Sequence, residues 1–363
     1  MVSCKKEEIK VVTDTNPLNN DMYLSPYTAG SNSGRLLVLD KNGVVKTSVN
    51  TAGIAMNFRK WNINGSTRFT WLVEDLYSYH IPGFQAYVPG YFVIADENMN
   101  ELKRVYLTSH DEIDATLQNL VDSHDFVLLS DDHYICMSYY KKEVTNVPAS
   151  LNPAATVTVV APIIQEVNNG VVVWQWDGTL HPELYGESVE GNDFSSTTAV
   201  NDYLHLNSMT IDPSDNNLVC SFRNADMVVK IDRTTGNFIW QLGGANSSFP
   251  LTEEQKFLRQ HHATFADNGS TLLLFDNGEV VLRPYSRILE FKLDQAAHTI
   301  NGFKSYDIPA DFSQFMGSVQ KTDSTYFIGG GTANYVMEVN YLTGQKLLQL
   351  HLSSSTYRAY KYY

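Results

Sequence analysis

Cysteine is scarce: the 363 residues contain three, at positions 4, 136 and 220. So few exclude a disulfide-stapled scaffold, and no Cys-x-x-Cys or His-Glu-x-x-His spacing marks a zinc site. Cys136 and Cys220 stand inside apolar runs and read as small buried hydrophobes. Long apolar stretches are also missing, and none approaches the ~18 residues that a membrane-crossing helix needs. Positive charge is thin. Lys and Arg number 26 against 40 Asp and Glu, for a net charge of −14, and the basic residues form no run. Such a surface excludes a nucleic-acid partner, because phosphate binding requires clustered cations. Helical periodicity is nearly absent. Only residues 110–120, with Asp111 or Asp114 as a cap, and residues 252–258 carry a helix-like pattern.

What is present is repetition. His124-Asp125-Phe126, His205-Leu206-Asn207-Ser208 and His261-His262-Ala263-Thr264 each open a stretch that reaches an Asp-rich turn six or seven residues later. A second apolar run follows each turn, at 134–139, 218–222 and 272–275. Strand, Asp/Asn/Gly turn and strand is a β-hairpin pattern. Between these hairpins an apolar strand closing on Asp or Asn recurs six times, ending at Asp40, Asp96, Asp177, Asp232, Asp294 and Asn340. The spacings are 56, 81, 55, 62 and 46 residues, and long loops are expected around 145–167 and 180–200. This pattern predicts an all-β fold, a six-bladed β-propeller of four-stranded antiparallel blades around a central channel. Residues 1–20 read as an N-terminal tether. Residues 21–363 read as one ring domain, its last blade closed by strands from near both termini, residues 357–363 included.

Equivalent positions in a ring of repeats converge in space, so the three histidines are expected at one channel mouth. Around the turn at 212–217, residues equidistant from the centre face each other. Arg223 therefore belongs opposite or diagonal to His205, and the same reasoning puts His261 opposite Asp276-Asn277. A guanidinium beside imidazoles makes an anion site, and its planar fork suits a tetrahedral oxyanion. Strand alternation sends His261 and His262 to opposite faces, so only one of them is expected in the channel, and the hairpin pairing favours His261. The Phe275-Asp276-Asn277-Gly278 run reads as a turn and packing element, and Arg287 and Glu290 as partners of each other or of a neighbouring blade. Gly329-Gly330-Gly331 lacks the Lys and helix of a phosphate loop and reads as a close backbone approach.

With the same residues in this order, the chain resembles the bacterial arylsulfotransferase family. The shared segments are His124-Asp125-Phe126, 204–208, Arg223, Gln260-His261, 274–278 and Arg283-Pro284-Tyr285-Ser286-Arg287. They span about His124 to Glu290, with weaker similarity on both sides. The resemblance implies a six-bladed propeller enzyme that moves a sulfuryl group between phenols without a nucleotide sulfate donor. It implies a ping-pong route in which His261 becomes a sulfohistidine, His205 and Arg223 hold the sulfuryl oxygens, and His124 joins them at the channel mouth. Asn207, Tyr335 and Tyr357 are expected to bind substrate. No metal or organic cofactor is implied. Gln260-His261-His262 departs from the family's frequent Gln-His-Asp, which leaves open what orients His261. Two alternatives fit the same residues: a non-catalytic propeller that binds a sulfated or anionic ligand, and an aryl-sulfate hydrolase.

Val2-Ser3-Cys4, followed by Lys5-Lys6-Glu7-Glu8, is similar to the lipobox and mature start of bacterial lipoproteins. It predicts a lipid anchor on Cys4 and a place in the periplasm or at the cell surface. The other expected partners are a small phenolic sulfate donor, a phenol acceptor and, in a homodimer, a second copy of the chain.

Overall fold

In a computed structural model, residues 8–14, 20–75, 81, 84, 88–308 and 311–362 are described. They form six antiparallel sheets, each built on four consecutively paired strands and arranged as a β-propeller. Blade 2 runs Ala55–Ile63, Ser66–Glu74, Pro89–Ala95 and Glu101–Val105. Blade 3 runs Phe126–Ser130, His133–Val144, Val157–Asn168 and Val171–Asp177. Blade 4 is Leu206–Ile211, Leu218–Phe222, Met227–Ile231 and Phe238–Gly243, and blade 5 is His261–Ala266, Thr271–Asp276, Ser286–Asp294 and Thr299–Ile308. Blade 6 holds Ser318–Lys321, Thr325–Gly329, Tyr335–Asn340 and Lys346–Leu352.

Ring closure joins the two ends of the chain. The inner strand of blade 1 is Ser355–Lys361, which pairs antiparallel with Met22–Tyr27, ahead of Gly34–Leu39 and Val45–Thr51. The segment expected to be a tether contributes as well: Ile9–Asp14 pairs with Lys346–Leu352 as a fifth, outer strand of blade 6. Its sequence, Ile-Lys-Val-Val-Thr-Asp, is rich in β-branched residues, and such residues favour strand pairing. Cys4 and residues 15–19 lie outside the described residues.

Middle strands such as Leu218–Phe222 and Met227–Ile231 are buried at every position, because each blade is covered on both faces by its neighbours. The outermost strand of blade 1, Val45–Thr51, is mostly exposed. One apolar cluster joins blades 3 and 4 through Ile135, Met137, Ile164, Cys220 and Val229. Both described cysteines are buried and free.

Two local readings change. The apolar strand closing on Asp177, Val171–Asp177, is the fourth strand of its blade, whereas the other five copies are third strands; the third strand here, Val157–Asn168, lies largely inside the segment expected to be a loop. Asn168-Asn169-Gly170 and Asp177 are equally good turn signals, so the pattern alone does not choose between them. Residues 110–120 form a bridge and turns, with His110 paired to Ile113 and no helix. Residues 253–255 make a single 3-10 turn closed by a capping box between Thr252 and Gln255.

Candidate active site

Each inner strand runs from the same end of the ring, so the residues that open these strands gather at one mouth. His124 precedes the inner strand of blade 3, His205 that of blade 4, and His261 begins that of blade 5. All three line one cavity of about 460 Å³, together with Arg223 and Tyr357. The rings of His124 and His205 are perpendicular, with centroids 4.9 Å apart, and Tyr357 meets His124 edge-on at 5.7 Å.

Arg223 falls where hairpin pairing places it. Leu206 pairs with Phe222, and one residue further on the Arg223 amide donates to the His205 carbonyl at 3.0 Å. The residue is only 5% exposed. Nη1 donates to Glu190 at 3.1 Å and to Oδ1 of Asn224 at 2.6 Å, while Nε and Nη2 have no partner among the described residues. A buried guanidinium with one whole edge unsatisfied is costly unless an acceptor arrives. That edge matches two oxygens of a tetrahedral anion.

Each histidine is anchored through Nδ1, and the anchors differ. Asp122 sits on Nδ1 of His124, and Oδ2 of Asp202 lies 2.7 Å from Nδ1 of His205. His261 has an amide instead, with Oδ1 of Asn277 at 2.7 Å. Asn277 donates its own Nδ2 to the carbonyls of Ser313 and Met316, so its oxygen must face His261. Nδ1 of His261 is thereby the protonated nitrogen and Nε2 keeps the lone pair, engaged among the described residues only by a long 3.3 Å bond from the Met316 amide. Burial, followed by the nearby Arg223 charge, holds His261 well below the ordinary imidazole range. Burial also lowers His205, opposed by Asp202.

His262 does not enter this cavity. It adopts φ 50°, within a bulge between His261 and Thr264 that breaks strand alternation. Its Nδ1 accepts from the Val319 amide at 3.1 Å and its ring meets Tyr360, deeper in the channel. The same bulge explains why His261 pairs with Phe275 and not with Asp276-Asn277; Asn277 reaches it by side chain from beyond the strand end.

Asn207 is fully buried below the cavity. Its Nδ2 donates to the Gln260 carbonyl at 2.7 Å, and its own carbonyl accepts from Arg358 at 2.9 Å and from the Tyr357 hydroxyl at 3.3 Å. It is channel floor and does not line the cavity. Tyr335 is also absent from the cavity: it opens a strand of blade 6, buried in the core, where a Cβ on Gly330 would strike its ring at 2.4 Å. Tyr357 is the expected substrate tyrosine that reaches the cavity, and Tyr27, Met56, Val88, Phe315 and Met316 complete an apolar wall.

The residues missed in the sequence are Asp122, Asp202 and Glu190. An acid two or three positions before both His124 and His205 was a readable signal. Asn277, expected opposite His261 and within a turn, holds the histidine by its side-chain oxygen. The segment around it is a clamp: Asp276 is gripped by Arg283 and Arg287, the latter at 2.8 Å, and Ser286 Oγ donates to the Asn277 carbonyl at 3.0 Å. Glu290 pairs with Lys321 of blade 6 at 3.1 Å.

Fold and site define a class: a six-bladed propeller whose channel mouth gathers one arginine and three imidazoles around one cavity. The chain belongs to the Arylsulfotransferase (ASST) family, whose profile matches residues 7–363. No curated protein matches the sequence. Among solved structures, a protein of unknown function from Bacteroides caccae aligns at TM-score 0.50 with 9% identity, over 95% of this chain and 99% of the other. A protein from Lactobacillus plantarum aligns at TM-score 0.48 with 11% identity, over 95% and 100%. The first shares the fold.

Proposed function

We propose that this protein transfers a sulfuryl group from an aryl sulfate to a phenol by a ping-pong route through a sulfohistidine on His261. The observation that supports it best is the free Nε/Nη2 edge of Arg223 in the cavity that His124, His205 and His261 also line. In the first half-reaction Nε2 of His261 attacks sulfur. The S–N bond forms, the S–O(aryl) bond breaks, and the departing oxygen takes a proton from Nε2 of His205 or His124. The acceptor phenol then attacks sulfur and gives its proton to that base, and the S–N bond breaks to restore the lone pair of His261.

The anchors divide the labour. A carboxylate behind Nδ1 stabilises an imidazolium, which suits His124 and His205 for moving protons. A neutral amide behind His261 keeps it uncharged, as a nucleophile must be. Arg223 meets the charge that spreads over the equatorial oxygens, and removing such a donor typically costs ~3 kcal/mol of barrier. The aromatic and apolar wall suits an aryl ring. The lipobox-like Val2-Ser3-Cys4 supports a lipid-anchored protein of the periplasm or cell surface.

Mixing the protein with p-nitrophenyl sulfate, with and without phenol, tests the reading. Nitrophenol release that depends on phenol, with phenyl sulfate formed in equal amount, is expected. Release without phenol identifies a hydrolase instead, and no release across a range of aryl sulfates leaves an anion-binding propeller.

A further inference from the structure

We propose that Glu190 sets the charge preference for the acceptor, so that this site sulfurylates neutral and cationic phenols and discriminates against phenols bearing an anionic substituent. The inference rests on the sulfotransferase reading above and adds a substrate class to it.

Glu190 lies on the segment between blades 3 and 4, and that segment is firmly built. The Val189 amide donates to the Asn224 carbonyl at 2.8 Å, and Ser188 Oγ donates to the Glu190 carbonyl at 2.8 Å. Gly191 follows with φ 68°, and a Cβ there would lie 2.5 Å from the Asp202 carbonyl, so a larger residue would lift the segment away. The carboxylate is thus held on the cavity wall, 3.1 Å from Nη1 of Arg223 and 3.2 Å from Nε of Arg259, with its side chain 41% exposed.

Charge counting then decides what fits. Arg223 is the one Arg or Lys side chain among the described residues that line the cavity, whereas Glu190 and Asp202 are both acids, and the imidazole that protonated the departing oxygen is neutral again when the acceptor binds. Once a sulfuryl group occupies the free edge of Arg223, that guanidinium faces one anion in the cavity and one on its wall. Arg259 is shared with Glu279, at 3.7 Å. An acceptor with a carboxylate or sulfonate on its ring meets like charge with no unclaimed cation, while an ammonium group meets Glu190. The apolar and aromatic part of the wall, Tyr27, Met56, Val88, Phe315, Met316 and Tyr357, is indifferent to charge.

Glu190 also steadies Arg223, and losing that support slows transfer to every acceptor alike. A ratio between acceptors removes this common effect. With p-nitrophenyl sulfate as donor, kcat/KM is measured for phenol, tyramine and 3-(4-hydroxyphenyl)propionate at about pH 7.5, where the ammonium and carboxylate are both ionised. Wild-type protein should favour tyramine over the propionate by about tenfold or more, the scale of a close like-charge penalty. Glu190→Gln should shrink that ratio by about tenfold, whereas Glu190→Asp, which keeps the charge, should retain most of it. Wild-type protein without charge preference, or a ratio unchanged in Glu190→Gln while all three acceptors slow together, overturns the proposal. Absence of transfer even to phenol in wild-type protein points instead to failure of the sulfotransferase reading, and the proposal falls with it.

Discussion

Asn277 dictates which nitrogen of His261 carries its proton. Its Nδ2 is committed to two carbonyls, at 2.9 Å and 2.8 Å, so only its oxygen is left to meet Nδ1 of His261, 2.7 Å away. A carboxylate in its place would favour the imidazolium and raise the pKa of His261. Asn277→Asp should therefore move the acid limb of the kcat/KM profile to higher pH by ~1 unit, with a larger loss of rate at pH 6 than at pH 8. An acid limb that stays in place would show that His261 is not the group whose neutral form reacts.

His261 and His262 are adjacent but opposite in tautomer. Nδ1 of His262 is the acceptor of the Val319 amide, which leaves Nε2 protonated and without a lone pair to attack sulfur. His261→Ala should abolish transfer, and His262→Ala should act chiefly on stability, by ~1–3 kcal/mol, through loss of a buried hydrogen-bond acceptor. Mass spectrometry after donor treatment should place the added sulfuryl group on His261; finding it on His262 reverses the assignment.

Arg223 and His205 face one cavity from one hairpin, joined through the 3.0 Å bond between Arg223 N and the His205 carbonyl. Both should contact the same sulfuryl group, so their contributions should be coupled. Arg223→Lys keeps the charge but loses the two-pronged edge, and His205→Ala removes a proton carrier. Each should lower transfer by ~100-fold or more, and the double variant should lose little beyond the worse single one. Barrier losses that add strictly mean that the two act at separate places.

Asp226 makes the stability of the fold depend on pH. Burial raises its carboxyl to about 6 in the folded chain, despite the bond from the Arg259 amide. A raised carboxyl stabilises the fold below its unfolded pKa, near 3.9, and that contribution is lost as pH climbs through about 6. At pH 7 the charged, buried group is therefore a burden. Asn accepts the same bond and tolerates the left-handed backbone at φ 47°. Asp226→Asn should stabilise by ~1–2 kcal/mol at pH 7 and little at pH 4, read as a difference in thermal midpoint at the two pH values. His261 and His262, whose ionisation burial disfavours, pull the other way: their contribution is full above ~6.5 and is lost as pH falls below it. That background is common to both proteins and cancels in the comparison. Equal gains at the two pH values would contradict a buried, raised carboxyl.

The blade repeat, its count of six and the closing C-terminal strand were legible because strand alternation and turn chemistry are local. Hairpin symmetry placed Arg223 beside His205 for the same reason, since pairing across a short turn depends on few residues. Local rules failed where the backbone departs from them. The bulge at His262 cancelled the alternation that had assigned His261 and His262 to opposite faces, and Asn168-Asn169-Gly170 competed with Asp177 as the end of a third strand. Ile9–Asp14 resembled a tether because its pairing partner lies more than 300 residues away.

By itself, then, the sequence determined an all-β ring with three histidines and an arginine at matching positions. Tertiary packing alone decided that Tyr357 lines the cavity while Tyr335 is sealed in a blade, that carboxylates back His124 and His205 while an amide backs His261, and that Glu190 shares the wall with Arg223. Those choices depend on side chains brought together from different blades and on the long connections between them. Met316 reaches His261 across 55 residues and Arg358 reaches Asn207 across 151. No pattern of short period encodes such meetings; they exist only once the ring has closed.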